Sequence, residues 1–246
     1  DEVAYSPVNA GEGIIEEIMP RRSLLERPPI ANVDQVVLTF AAVNPDIGAT
    51  LVDKFMVLAE KSGLPLILCV NKMELSHSAA VTRLMELYVR IGYTVIPVSA
   101  KTGMGIETLR ELLKDKITVF AGPSGAGKSS LLNKVDGGLV LKTGEISAKI
   151  GRGKHTTRFA ALLPLEKGGF VVDTPGFSAA EFVGMEAADL RWYFPEMVKV
   201  AGNCRYSTCI HDREPSCAVK QAVEEGAIAH SRYESYHQIL TEIKEG

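Results

Sequence analysis

The chain has 246 residues, 46% of them hydrophobic and 23% charged, with a formal net charge of −3. That is enough for one or two domains around a substantial core. No apolar run approaches membrane-spanning length and the first residues carry no signal-peptide core, so a soluble, cytoplasmic protein is expected. The mild negative charge excludes bulk attraction to nucleic acid; contact there would need local basic patches.

In chain order, Asp1 to about Pro29 is short and mixed. Gly11-Glu12-Gly13 reads as a turn, Ile14 to Ile18 as a possible strand, and Arg27-Pro28-Pro29 as a linker. The segment 1–30 cannot bury a core alone and reads as the tail of a domain. From Val33 strands and helices alternate. Val36–Ala41, Leu66–Val70 and Thr94–Val98 are strand runs. Between and after them, apolar residues at helical spacing mark three helices: Leu51, Phe55, Leu58 and Ala59; Val81, Leu84, Met85, Tyr88 and Val89; Ile106, Leu109, Leu112 and Leu113. Ile117–Ala121 is a fourth strand, followed by a glycine-rich loop and a helix-compatible run from Ser129 to Lys134. Asp136 to Thr157 lacks periodicity and reads as a mobile loop. Phe159–Leu165 and Phe170–Asp173 form a hairpin through Glu166-Lys167-Gly168-Gly169. Six strands result, in a mostly parallel sheet covered on both faces. Beyond Gly176 the alternation ends. A helix is expected from Ala187, with Leu190, Trp192, Tyr193 and Phe194 as apolar bulk, then two more over Ala218–Glu225 and Ile228–Ile243. Tyr233, Tyr236, Leu240 and Ile243 make a stripe on the last, read as packing.

The glycine-rich loop is Gly122-Pro123-Ser124-Gly125-Ala126-Gly127-Lys128-Ser129, with Ser130 next in the helix. It fits G-x-x-x-x-G-K-[ST] between a strand and a helix, the setting of a phosphate-binding loop. Its glycines let backbone N–H groups face an anion, and the helix adds its positive end. Lys128 is expected on the β/γ-phosphates and the Ser129 hydroxyl on Mg2+. Asp173-Thr174-Pro175-Gly176 ends a strand; Asp173 is expected near the magnesium and the Gly176 N–H on a γ-phosphate that it releases after hydrolysis.

Cys204-x4-Cys209-x-His211-x5-Cys217 supplies three thiolates and one imidazole. That is a complete tetrahedral Zn2+ set with no position left for water, hence one structural zinc per chain. In so short a segment metal binding could supply most of the folding energy, about 10–16 kcal/mol in small zinc modules. Buried free thiols beside a surface histidine are the bland alternative. Cys69, inside a strand, is read as core.

Two loops resemble the guanine-reading motifs of GTPases. Asn71-Lys72-Met73-Glu74 resembles N-K-x-D with Glu for Asp, and Ser99-Ala100-Lys101 resembles S-A-K. In that family the carboxylate accepts hydrogen bonds from guanine. Both loops precede the phosphate loop here, whereas Ras-like GTPases carry them after it. Proximity in space is what a site needs, and permutation preserves it. The permuted order, the run Gly151-Arg152-Gly153-Lys154-His155-Thr156-Thr157 and the cysteine–histidine segment together resemble the RsgA (YjeQ/YloQ) family of circularly permuted GTPases.

The resemblance implies a permuted Ras-like GTPase domain over 31–183, a zinc-binding helical domain over 184–246, and over 1–30 the last part of an OB-fold that binds RNA. It implies a GTP hydrolase that binds the small (30S) ribosomal subunit and its 16S rRNA, acts in late maturation, and is stimulated by the subunit. The chain itself is expected as a monomer. Phe177 stands where Ras-like enzymes place a water-orienting glutamine, so His155, matching the family's G-R-G-x-H-T-T motif, is the candidate catalytic group. Either Thr156 or Thr157 would bind Mg2+ in the GTP state. Arg152, Lys154 and Arg158 would face rRNA phosphates or solvent. Two other readings stay open: an ATP-preferring enzyme such as a small kinase, and a zinc-dependent rRNA-binding module that uses nucleotide only as a conformational sensor.

Overall fold

The structure, a computed structural model, describes residues 1–9, 11–25, 29–76, 78–139, 161–173, 182 and 184–245. His155, Thr156, Thr157, Gly176 and the basic residues Arg152, Lys154 and Arg158 lie outside the described residues.

Two strands, β1 (Val3–Asn9) and β2 (Glu12–Ile18), form an antiparallel hairpin with two register shifts. The expected turn at Gly11-Glu12-Gly13 is therefore corrected: Glu12 and Gly13 already belong to β2, and only Gly11 adopts the left-handed conformation, at φ 88°. The strand β1 escapes a sequence reading because Pro7 interrupts it and no apolar alternation marks it. Next come β3 (Leu24–Leu25) and β4 (Ile30–Ala31), a short antiparallel pair. The expected linker lies largely outside the described residues; Leu25, Ile30 and Val33 are buried against Val119 and Val172 of the main sheet.

That sheet contains β5 (Gln35–Ala41), β6 (Leu66–Asn71), β7 (Thr94–Pro97), β8 (Ile117–Ala121), β9 (Ala161–Pro164) and β10 (Phe170–Asp173). Their order is β7-β6-β5-β8-β10-β9. Every pairing is parallel except β9 with β10, the expected hairpin. All seven residues of β5 are buried, as a central parallel strand covered on both faces requires. Alternate residues feed opposite cores. Val36, Leu38 and Phe40 face α1 (Ala49–Glu60) and α2 (Ala79–Ile91), with Val52, Phe55, Met56 and Tyr88. Val37 and Phe120 face α3 (Ile106–Leu113) and α4 (Lys128–Val135), with Leu109, Leu131 and the buried Cys69.

The C-terminal part holds α5 (Pro195–Ala201), α6 (Ala218–Glu224) and α7 (His230–Glu245) around Leu190, Phe194, Met197, Val219, Tyr236 and Leu240. The helix expected from Ala187 is a single 3-10 turn, Leu190–Trp192, and α5 starts only at Pro195, which suits a first helical position. Val57 of α1 joins this core, so α1 is shared between the sheet and the C-terminal helices. No helix among the described residues is long and apolar enough to cross a membrane.

Candidate nucleotide site and metal centre

The parallel strands all end at one edge of the sheet, where α/β folds bind ligands. Ala41, Asn71, Pro97, Ala121 and Asp173 terminate β5, β6, β7, β8 and β10 there. The sheet pairs Val172 with Val119, so the backbone of Asp173 lies beside the end of β8 just before the phosphate loop.

The loop is built by close approach. Gly122 takes φ 132°, and a Cβ on it would stand 2.1 Å from the Thr39 carbonyl oxygen, so no side chain fits. Gly127 takes φ 87°, and a Cβ there would meet Asn71 Nδ2 at 2.5 Å. Gly127 is also the N-cap of α4 and offers no side-chain hydrogen bond. The first N–H groups of α4 are therefore turned toward the loop with only backbone to cap them, the arrangement that suits an anion. Lys128 Nζ donates to the carbonyls of Gly122 and Pro123 at 2.6 and 2.9 Å, so its charge crosses the loop mouth. Burial lowers its pKa from the ordinary lysine value; an anion alongside would oppose that effect. The Ser129 side chain is buried at the start of α4, Ser130 is half-buried behind it, and Ser124 and Gly125 form the exposed crest.

Asn71 joins the pieces. Its Nδ2 donates to the Ala126 carbonyl at 3.0 Å, and its Oδ1 accepts from the Ala100 N–H at 3.1 Å. One amide thus ties the N-K-M-E loop, the S-A-K loop and the phosphate loop together. Ser99 is fully buried; its Oγ accepts from the Thr102 N–H at 2.9 Å and shapes the second loop, leaving Lys101 exposed. Lys72 sits at φ 61° and donates to the Asn44 carbonyl. Glu74 lies in a 3-10 turn, Met73–Leu75, and its Oε2 is buried with no hydrogen-bond partner among the described residues. A desolvated acceptor of this kind is costly unless something donates to it.

The four zinc candidates also converge. Their ligand atoms all lie within 4.8 Å of one another. His211 Nδ1 is 3.7, 3.4 and 3.5 Å from the sulfurs of Cys204, Cys209 and Cys217, and Cys204 and Cys217 are 4.0 Å apart. Tetrahedral zinc, with bonds of about 2.3 Å to sulfur and 2.0–2.1 Å to nitrogen, separates its ligands by about 3.5–3.8 Å. The set fits. Burial pushes the Cys209 thiol up to about 12 and raises Cys217, so three thiolates here call for a cation. Burial lowers the pKa of His211, which favours the neutral imidazole a metal needs. From α7, Tyr233 and Tyr236 hydroxyls donate to the carbonyls of His211 and Ile210 at 2.8 and 2.5 Å, bracing the metal loop.

The model of the family described as RsgA GTPase matches residues 18–183. The chain belongs to the RsgA GTPase family. Curated members carry the name Small ribosomal subunit biogenesis GTPase RsgA. One from Caldanaerobacter subterraneus subsp. tengcongensis is 49% identical over 97% of this chain and 80% of its own length. One from Bacillus velezensis is 47% identical over all of this chain and 84% of its own. Among solved structures, YjeQ from Thermotoga maritima superposes with a TM-score of 0.84 at 43% identity, covering 98% of this chain and 82% of that one. YloQ, described as a circularly permuted GTPase, gives 0.81 at 39%, over 99% and 79%. The permuted order read from the motifs is thus a property of the RsgA fold.

Three features had no place in the motif reading. Asn44-Pro45 abuts the phosphate loop and the Lys72 loop, and Asn44 does so through its backbone carbonyl, which residue type does not mark. Arg232 is buried among aromatic rings, and nothing in its sequence neighbours marks it. Arg191 stacks on Trp192 at 4.5 Å while donating to the carbonyls of Ser207 and Cys209, which ties an exposed tryptophan to the metal loop.

Proposed function

We propose that this chain is a GTP hydrolase acting in biogenesis of the small ribosomal subunit, slow by itself and stimulated when bound there. The observation that carries the reading is Asn71, whose single amide bonds both the phosphate loop and the S-A-K loop. It joins the N-K-M-E and S-A-K loops to the phosphate loop despite their reversed order, which supports one nucleotide spanning them. In this reading the N–H groups at the start of α4 and Lys128 hold the phosphates. Glu74 accepts from the guanine edge through its Oε2, which has no hydrogen-bond partner among the described residues. Ser129 and Asp173 would hold a magnesium ion, whose charge would offset the negative charge that develops on the phosphates. His155 orients water, and Thr156 or Thr157 completes the magnesium shell. Cys204, Cys209, His211 and Cys217 hold a structural zinc.

Contact with 16S rRNA belongs to the same proposal. Two exposed arginine–aromatic pairs support it: Arg191 on Trp192, and Arg205 at 5.6 Å from the Tyr206 ring, with Trp192 53% and Tyr206 43% exposed. Unpaired bases stack on such surfaces. We further propose three units, 1–30, 31–183 and 184–246, the first an OB-fold remnant in its hairpin; Leu25 and Ile30 pack with the second unit.

The test is phosphate release with and without purified small subunits. Turnover of about 10^-4 per second is expected alone, as in unassisted GTPases, with a large rise on adding subunits. His155→Ala should keep GTP affinity and lose the rise. Displacement of labelled GTP by excess ATP would favour the kinase-like reading. Tight GTP binding with no hydrolysis under either condition would favour a pure conformational sensor.

A further inference from the structure

We propose that residues 42–60 form a positioning arm: Asn44 and Pro45 hold the two nucleotide loops in register at one end, and the C-terminal helices grip α1 at Asp53 through Arg232. The proposal rests on the nucleotide reading of the site and adds to it the residues that set the loops.

At the near end the contacts are with both loops. The Asn44 carbonyl accepts the Lys72 ammonium, fixing the residue next to Asn71. Pro45 packs against the crest of the phosphate loop: a methyl placed on Gly125 would stand 3.3 Å from Pro45 Cδ. Asp46 Oδ1 accepts the Asn44 N–H at 3.4 Å, closing the turn. The helix α1 begins three residues later at Ala49 with Gly48 as N-cap, so the turn continues straight into a rigid rod.

The rod itself is clamped in its first half. Asp53, in the second turn of α1, is fully buried, and Arg232 of α7 is 1% exposed. Their ion pair is completed by Glu196 of α5, whose two oxygens accept from Arg232 Nε and Nη2 at 2.6 and 3.2 Å. The guanidinium lies 4.4 Å from the Phe194 ring and 5.5 Å from that of Tyr88, and the Tyr88 hydroxyl donates to Asp53. Lys54 pairs with Glu242 beside it. One arginine therefore links α1 and α2 of the sheet to α5 and α7 of the metal-bearing part. Removing one partner of such a group leaves a buried charge without compensation, so the joint resists partial opening.

The two ends belong to one helix and its leading turn. Val52, Phe55, Met56 and Ala59 fill the sheet core, while Asp53 and Val57 face the C-terminal core. A packed element of this kind moves as a body. A shift of the C-terminal helices against the sheet would then be felt at Pro45 and Asn44, hence at Gly125 and Lys72.

The experiment is a double-mutant cycle on the full chain, read by stopped-flow release of a fluorescent GDP derivative. Pro45→Ala should speed release about fivefold or more and raise KM for GTP more than it lowers kcat. Glu196→Gln should speed release in the same direction. Together they should do little more than the larger single change. If their effects multiply to within about twofold, the ends are independent and the arm is rejected. Unchanged release in Pro45→Ala, or in the Glu196 or Lys54 variant paired with it, rejects it as well. Should Glu196→Gln fail to fold, Lys54→Met at the outer ion pair takes its place in the cycle: a combined effect no larger than the greater single one supports the arm, and a multiplicative one rejects it. Loss of the underlying reading would look different: the unaltered chain would bind no GDP derivative at all.

Discussion

Asn71 uses both ends of its side-chain amide, and its loss therefore has a size that can be stated. Asn71→Ala removes the donor to Ala126 and the acceptor for Ala100, leaving a buried carbonyl and an N–H short of partners. Orphaned groups of this kind cost about 1–3 kcal/mol each. We expect a lower melting temperature and about tenfold or greater loss of GDP affinity by fluorescence titration. Asn71→Asp keeps the acceptor and should lose less at the Ala100 side. A second residue, Asp34, reports on pH. Burial works to raise its pKa, but the Ile117 N–H at 2.7 Å and the Arg22 guanidinium outweigh it, and the carboxyl lies below its usual value. Its pKa is lowered in the folded state, so its contribution is present above the unfolded value of about 4 and fades as pH falls through the folded one. Asp34→Asn should lower the melting temperature near neutrality and flatten its decline below about pH 4, as followed by thermal unfolding across pH.

At the scale of elements, the metal loop and α7 stabilise each other. The loop from Cys204 to Cys217 is short of regular structure, and its backbone carbonyls at Ile210 and His211 are taken by tyrosines of α7. Without a metal the buried thiols would lose the group that draws them together. Chelation, or Cys217→Ser, should therefore melt α6 and α7 at lower temperature while GDP binding survives, since the sheet core is built from other residues. Helical circular dichroism alongside GDP titration checks both halves, and metal analysis should return one zinc per chain.

The same scale shows how much of the molecule is legible in its sequence. The strand β5 is legible because a central parallel strand must be apolar on both faces, and Val36-Val37-Leu38 says so. The cluster of Cys204, Cys209, His211 and Cys217 is legible because a metal site would fix residue types and spacing. The aromatic run before α5 misleads, since Leu190 and Phe194 are buried without an α-helix between them and Trp192 points to solvent. Asn44 is invisible for a different reason: it acts through a backbone carbonyl, and residue type says nothing of where a carbonyl points. Arg232 is hidden because its partners, Asp53 and Glu196, come from helices 179 and 36 residues away.

For the whole molecule, the net charge of −3 bears on the proposed contact with ribosomal RNA. Long-range attraction would be weak, so binding has to come from a few local contacts and from stacking. These two contributions respond differently to salt. Each phosphate contact to single-stranded RNA changes the slope of log K against log salt by about 0.7, whereas stacking leaves the slope alone. Arg191 and Arg205 each stand over an exposed ring. If both also meet phosphate, Arg205→Ala should weaken subunit binding most at low salt and reduce the slope by about 0.7. Arg191 is less clean, because its hydrogen bonds to Ser207 and Cys209 hold the metal loop. Trp192→Ala should instead cost about 1–3 kcal/mol at every salt concentration and leave the slope unchanged. Filter binding or sedimentation with purified small subunits over a salt series separates the two. A Trp192→Ala variant that binds as tightly as the unaltered chain would remove the stacking surface from the proposal. A slope change on that substitution would mean that it acts by disturbing the neighbouring arginine.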